Sequence, residues 1–192
     1  MNIEIDKDRV RKLLEDNEVK NFLQDNDIDG LYDYLARADS ETAAPRDIGA
    51  LTWFLEKCGI NTVFAIGNGK IPDYYCYNTE IPPSLIDGDS IKFPGHIKEI
   101  SRNSFCFAHT PKGVNYLDLR GIERVGYDAF FDLEYVEAII IDDGLKKAGI
   151  NGQNTFCMEF EKIIAPDSLT EEEVMDLFDL YDRSGSVSIE FY

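Results

Sequence analysis

Bases are scarce in this chain. Nineteen Lys and Arg stand against 37 Asp and Glu, a formal net charge of −18 over 192 residues. A field of that sign repels a phosphate backbone, which disfavours direct nucleic-acid binding; a basic protein partner and plain solubility remain as readings. The imbalance is uneven. Residues 1–60 hold 14 acids and 8 bases, residues 61–121 hold six of each, and residues 122–192 hold 17 acids and five bases. Also lacking is an apolar run near the roughly 20 residues a membrane helix needs, so no membrane partner is expected. Met1–Asp6 is acidic where a secretion segment would be apolar, so the expectation is a cytoplasmic protein. No C-x-x-C pair occurs among Cys58, Cys76, Cys106 and Cys157, and His96 and His109 are the two histidines, so no metal or cofactor is expected. Cys106 and Cys157 each follow a Phe and read as small buried apolar side chains. Cys106 and His109 lie three apart with no orienting group, and Gly67-Asn68-Gly69-Lys70 is too short to cradle a phosphate. The chain therefore reads as non-enzymatic.

What it has is a repeat. Ile97, Ile100 and Phe105 share their spacing with Ile122, Val125 and Phe130; a cruder copy, IPDYYC, occupies 71–76, and a further one returns at Asn154-Thr155-Phe156. Phe105, Phe130 and Phe156 follow one another at steps of 25 and 26 residues. Self-similarity at such a period marks stacked units, none of which can bury its apolar face alone. Between these segments an alternating pair recurs: Ile91/Phe93, Leu117/Leu119, Ile139/Ile141 and Ile163/Ala165. Alternation predicts short strands with one face inward, and Pro94-Gly95, Gly121, Gly144 and Pro166 close them. Each unit is a strand, a turn and a curved segment ending in a buried Phe, and the strands stack into a parallel sheet.

The order apolar-x-x-Ile-x-x-x-x-Phe, then a short strand ending in Pro or Gly, resembles the BspA-like (treponemal-type) leucine-rich repeat over residues 71–168. The resemblance implies a non-enzymatic recognition scaffold. Ile, Val or Tyr often replaces Leu, and the last unit carries extra residues around Gly149–Gln153. A helical cap joined to so few repeats resembles proteins of bacteriophage and gut-bacterial genomes. The expected fold is α+β: a short leucine-rich repeat solenoid of three or four repeats with parallel strands on one face. Residues 1–60 form an N-terminal helical cap, 61–168 the repeats, and 169–192 a capping helix and a possible last strand.

The flanks support this division. Val10, Leu13 and Leu14, then Val19, Phe22 and Leu23, recur at helical spacing. Asp27 or Asp29 caps a helix carrying Leu31, Tyr32 and Leu35, and 38–45 reads as a linker. Asp47 caps another helix, with Ile48, Leu51, Phe54 and Leu55 inward and Gly59 at its end. Trp53 is either core or an exposed anchor, with core the favoured reading. This block is placed to cover the first open edge of the solenoid. Ser168 or Thr170 opens the last helix, with Glu171, Glu172 and Glu173 in its first turn, Leu169, Val174, Leu177, Phe178 and Tyr181 as its stripe, and Gly185 as its stop.

Two stretches resemble calcium loops. Asp25-Asn26-Asp27-Ile28-Asp29-Gly30 matches the first six places of one, with Asp25, Asp27 and Asp29 at places 1, 3 and 5 and Gly30 at 6, but Ala36 stands where a bidentate Glu belongs, so an Asp-capped helix–turn–helix is the plainer reading. The second, from Asp182, has Val187 in the glycine place.

Surfaces remain. Beside the buried pairs, one outward ladder is Lys92, Asp118, Ile140, Ile164, and the next is Ser90, Tyr116, Ala138, Lys162. The expected partner-binding set is Tyr116, Asp118, Ile140, Asp142, Lys162 and Ile164, with Glu172, Asp176 and Asp179 on an acidic flank. The expected function is a protein-binding module for a basic partner. Its sharper form is an acidic decoy in the nucleic-acid channel of a host defence nuclease, a viral inhibitor. The rivals are a structural or assembly protein of a virion or surface, and a calcium-responsive adaptor.

Overall fold

The computed structural model describes residues 7–37, 45–145, 155–180 and 187–192. Within these, helices open the chain and a solenoid of about four turns follows, an α+β architecture. Helix α1 (Lys7–Glu15) buries Val10 and Leu13. Asp16 then divides the apolar series: its carboxylate accepts the Glu18 and Val19 N–H groups at 2.8 and 3.3 Å and starts α2 (Asn17–Asp25). Asp27 caps α3 (Ile28–Arg37), its Oδ1 accepting from Gly30 N at 2.8 Å. Asp29 does a different job, accepting the amides of Gly67 and Asn68 at 3.0 and 3.1 Å and so tying α3 to the loop before the first coil.

Helix α4 (Pro45–Lys57) begins before Asp47, which is not its cap; the Asp47 carboxylate is buried and pairs with Arg9 at 2.8 Å. Trp53 stays outside the core: half-buried, it directs Nε1 to Glu80 at 3.4 Å beneath the Lys57 ammonium. A short α5 (Thr62–Ala65), unread in the sequence, follows the left-handed Gly59.

Two sheets run up the solenoid, their strands parallel except at one edge pair of the larger. The smaller joins β1 (Lys70–Ile71), β4 (Glu99–Ile100) and β6 (Arg124–Val125), with Ile71, Ile100 and Val125 in register. The larger runs β2-β3-β5-β7-β8-β9, comprising β2 (Ile86–Asp87), β3 (Ser90–Lys92), β5 (Tyr116–Asp118), β7 (Ala138–Ile140), β8 (Lys162–Ala165) and β9 (Ser188–Phe191). Ile91, Leu117, Ile139 and Ile163 align across it, all buried. Its first edge is closed by β2, which pairs antiparallel with β3, and not by the helical block. The helices seal the aromatic core instead. Tyr32 packs on Tyr75 at 5.8 Å, and the Thr62 hydroxyl lies 2.7 Å from the Tyr75 hydroxyl and 2.7 Å from Glu56 Oε1.

That core is one column of rings. Phe105 stacks on Phe130 at 5.5 Å and Phe130 on Phe156 at 5.6 Å, with ring planes within 10° and 13° of parallel. Tyr75 caps the column below at 6.0 Å, and Phe178 of α6 (Glu171–Phe178) above at 4.5 Å. Backbone bonds fix the equivalences. The N–H groups of Cys76, Phe105 and Phe130 donate to Ser104, Ala129 and Thr155 of the following coil. The later coils thus place a small residue before the ring, Ser104-Phe105, Ala129-Phe130 and Thr155-Phe156. The first coil reverses the order, with Tyr75 before Cys76.

Thr170 caps α6 in a reciprocal box with Glu173. The helix stops at Phe178, where Asp179 turns left-handed at φ 52, and not at Gly185. Tyr181, Asp182, Gly185, the linker residues 38–44 and the extra residues Gly149–Gln153 lie outside the described residues. No helix among the described residues is long and apolar enough to cross a membrane.

Candidate functional site

The outward side of the large sheet carries the two ladders in the register read from the sequence. Ser90, Tyr116, Ala138, Lys162 and Ser188 form one; Lys92, Asp118, Ile140, Ile164 and Glu190 form the other. Tyr116, Ile140 and Ile164 are half-buried, whereas Ala138, between Tyr116 and Lys162, is fully covered. The ladders therefore present an apolar centre about one residue wide along β5, β7 and β8.

The charged members are already engaged within the chain. Asp118 is only 4% exposed. Its Oδ1 accepts from Arg120 N and Nε at 3.1 and 2.9 Å, and its Oδ2 from Nη2 at 2.6 Å. Burial alone would raise the Asp118 carboxyl, but the hydrogen bonds and charge of Arg120 outweigh it and hold it below the usual carboxylate range. Asp142 accepts from Gly121 N at 2.6 Å and Gly144 N at 3.0 Å, so it shapes the turns after β5 and β7. Lys162 pairs with Glu190 of β9 at 2.9 Å. Glu172, Asp176 and Asp179 are exposed on α6 and its cap. They sit on a different element from the ladders, so the nine residues form a sheet group of six and a helix group of three.

Sequence reasoning passed over the border of the sheet group. Tyr135, 46% exposed, donates its hydroxyl to Glu161 Oε1 at 2.8 Å. Glu137 and Glu161 are strand neighbours, one residue before Ala138 and Lys162, and Glu161 N donates to Glu137 O at 3.1 Å. Like charges in adjacent ladder places are unfavourable, so this edge gains from any cation brought to it. The missed signal was the Glu one place before β7 and β8, which the alternation rule does not weigh.

Other candidates are committed elsewhere. Asp27 and Asp29 spend their carboxylates on backbone amides, as described above. His109 Nδ1 lies 2.8 Å from Glu134 Oε1. Burial pushes the Cys76 and Cys106 thiols up to about 12, the reverse of what activates a nucleophile. All four cysteines are free; Cys58 is exposed and Cys157 half-buried.

On the turn side of the coils, beyond the small sheet, a second chemistry appears. Tyr77, Phe107 and Phe131 make an edge-to-face ladder at 5.8 and 5.6 Å. Beside it, Arg102 Nε donates to Asp73 Oδ2 at 2.7 Å, with the guanidinium 6.0 Å from the centre of the Tyr74 ring. Asp128 keeps a buried Oδ1 with no hydrogen-bond partner among the described residues, and desolvation raises its carboxyl.

No family model, curated protein or solved structure matches the chain.

Proposed function

We propose that this protein is a recognition module that docks a basic protein through the β5–β7–β8 face. The observation that carries the reading is the composition of that face: half-exposed Tyr116, Ile140 and Ile164 at the centre, Tyr135 beside them, and Glu137 and Glu161 at the border. An apolar centre with a charged rim is how specific interfaces are built, the centre supplying affinity and the rim supplying orientation and association rate. Engagement of Asp118 by Arg120 and of Asp142 by backbone amides assigns those two carboxylates to shaping the face. The partner's bases would then meet the glutamates.

The coil plan, a short parallel strand followed by an arc that ends in a stacked Phe, supports reading the turns as leucine-rich repeats of the BspA-like kind. The excess of acids in residues 122–192 supports the sharper form, a decoy that occupies the nucleic-acid channel of a defence nuclease.

The Tyr116→Ala/Ile140→Asp double variant tests the face. Both positions point away from the core, so the variant should melt within about 1 kcal/mol of the parent yet lose the partner that the parent captures from a host lysate. Retention of that partner at parental strength would refute docking through this face. Salt separates the two forms, because a channel decoy should release steeply between 0.05 and 0.3 M salt, where screening shortens to about 8 Å or less.

A further inference from the structure

The large sheet ends differently at its two edges. β2 folds back on β3 and closes the first edge. At the last edge, β9 pairs with β8 alone among the described residues. Ser188 N and Tyr192 N donate to Glu161 O and Ala165 O at 2.9 and 3.0 Å, so these even-numbered residues turn their backbone groups toward β8. In a parallel ladder the residues between them turn theirs away. The N–H and C=O groups of Ile189 and Phe191 therefore face the open side of the strand.

The side chains along this edge are in reach of solvent. Ser188, Glu190 and Phe191 are exposed, Phe191 at 41%, and Val187 and Ile189 are half-buried. Ile189 and Phe191 align with buried Ile163 and Ala165, which places them in the core-facing row; Ser188 and Glu190 belong to the outward row. Folded chains commonly guard such an edge with Pro, Lys, a bulge or a covering segment. The stretch VSIEFY, residues 187–192, carries neither Pro nor Lys.

This strand is complementary to itself in one antiparallel register. With a two-fold axis at Ile189, that residue faces its own copy, Val187 faces Phe191, and Ser188 faces Glu190. Apolar then meets apolar in the core-facing row, and hydroxyl meets carboxylate in the outward row. The same register puts the residues whose backbone groups point outward at the places that exchange both N–H···O bonds. Moving the axis to Glu190 would set two carboxylates directly opposite each other, which is unfavourable.

We infer that β9 is a self-association edge, occupied by β9 of a second copy of this chain in antiparallel pairing centred on Ile189. The inference goes beyond the strand-face reading and is independent of it. Docking there uses outward side chains of β5, β7 and β8, whereas this contact uses the backbone edge of β9.

The test is sedimentation equilibrium of the full chain from about 10 μM to about 1 mM, at about 0.05 and about 0.5 M salt. The average mass should rise from 21.8 kDa toward twice that value. So short an edge makes a weak dimer, half-formed near about 0.1 mM. Higher salt should tighten it, because screening relieves repulsion between two chains of net charge −18. Ile189→Pro should abolish association: proline removes the central N–H, which makes no bond to β8, so the ladder within the chain survives. Ser188→Glu, at an exposed place aligned with Lys162, should weaken association about fivefold by opposing two carboxylates, twice in each dimer. Adding Glu190→Lys to Ser188→Glu should restore it. A single-chain mass throughout the range at both salts, or parental association in Ile189→Pro or Ser188→Glu, would overturn the edge. Tyr116→Ala/Ile140→Asp should associate as the parent does, so failure of the edge and failure of the strand face are read separately.

Discussion

Phe130→Ala should lower the stability of the chain by about 3–5 kcal/mol, the range for deleting a fully buried aromatic ring. Phe130 is the middle ring of the column, stacked between Phe105 and Phe156 and 1% exposed. Its removal leaves a void bounded on two sides by rings that cannot follow it, because each is pinned by its own coil's backbone bonds. Collapse of the site is therefore limited and the loss should fall toward the upper end. Coils in a solenoid hold one another through nearest-neighbour interfaces, so the break should also divide the unfolding transition. Denaturant titration followed by far-ultraviolet circular dichroism measures both. A loss below about 1 kcal/mol would mean that the column does not bind the coils together.

Gly126→Ala should be nearly as damaging for the opposite reason. A Cβ at Gly126 would lie 2.6 Å from Arg102 N and 2.7 Å from Ser101 C, both backbone atoms of the preceding coil. Backbone cannot turn aside as a side chain can. One methyl group must therefore push two coils apart, lengthening the Gly126 N to Ile100 O hydrogen bond, now 2.7 Å. Overpacking of this kind costs about 3 kcal/mol, and at about 2–4 °C per kcal/mol for a chain of this size the midpoint should fall by about 6–12 °C. Gly95 is the control: a Cβ there meets nothing within 4 Å, and Gly95→Ala should leave the midpoint within about 2 °C. If Gly126→Ala behaves like Gly95→Ala, the coils are not stacked as closely as described.

Period-two alternation made the large sheet legible, down to the pairing of Tyr116 with Ala138 and Lys162, because a one-residue slip would turn Ile91, Leu117, Ile139 and Ile163 outward together. The ring column was legible for the same reason: a large side chain that recurs each turn must meet its own copy. The first coil was harder, because Tyr75-Cys76 reverses the small-then-large order of the later coils and hides the register from spacing alone. β2 was missed since two residues carry no periodicity. Asp118 occupies an outward place, and nothing in spacing reveals that Arg120 folds back to cover it. The stop at Phe178 was likewise hidden, since Asp179 adopts the left-handed turn usually left to glycine, and Gly185 looked the better candidate.

Hydroxyl-radical footprinting of the captured complex tests the strand-face claim most directly, because it reports side-chain exposure, which the sheet's own hydrogen bonds do not mask. Phe64, 60% exposed on α5, serves as the internal reference. Docking through the sheet predicts that Tyr116, Tyr135, Ile140 and Ile164 lose reactivity together while Phe64 keeps its own. Unchanged reactivity at those four residues, with protection on the helices instead, would contradict it.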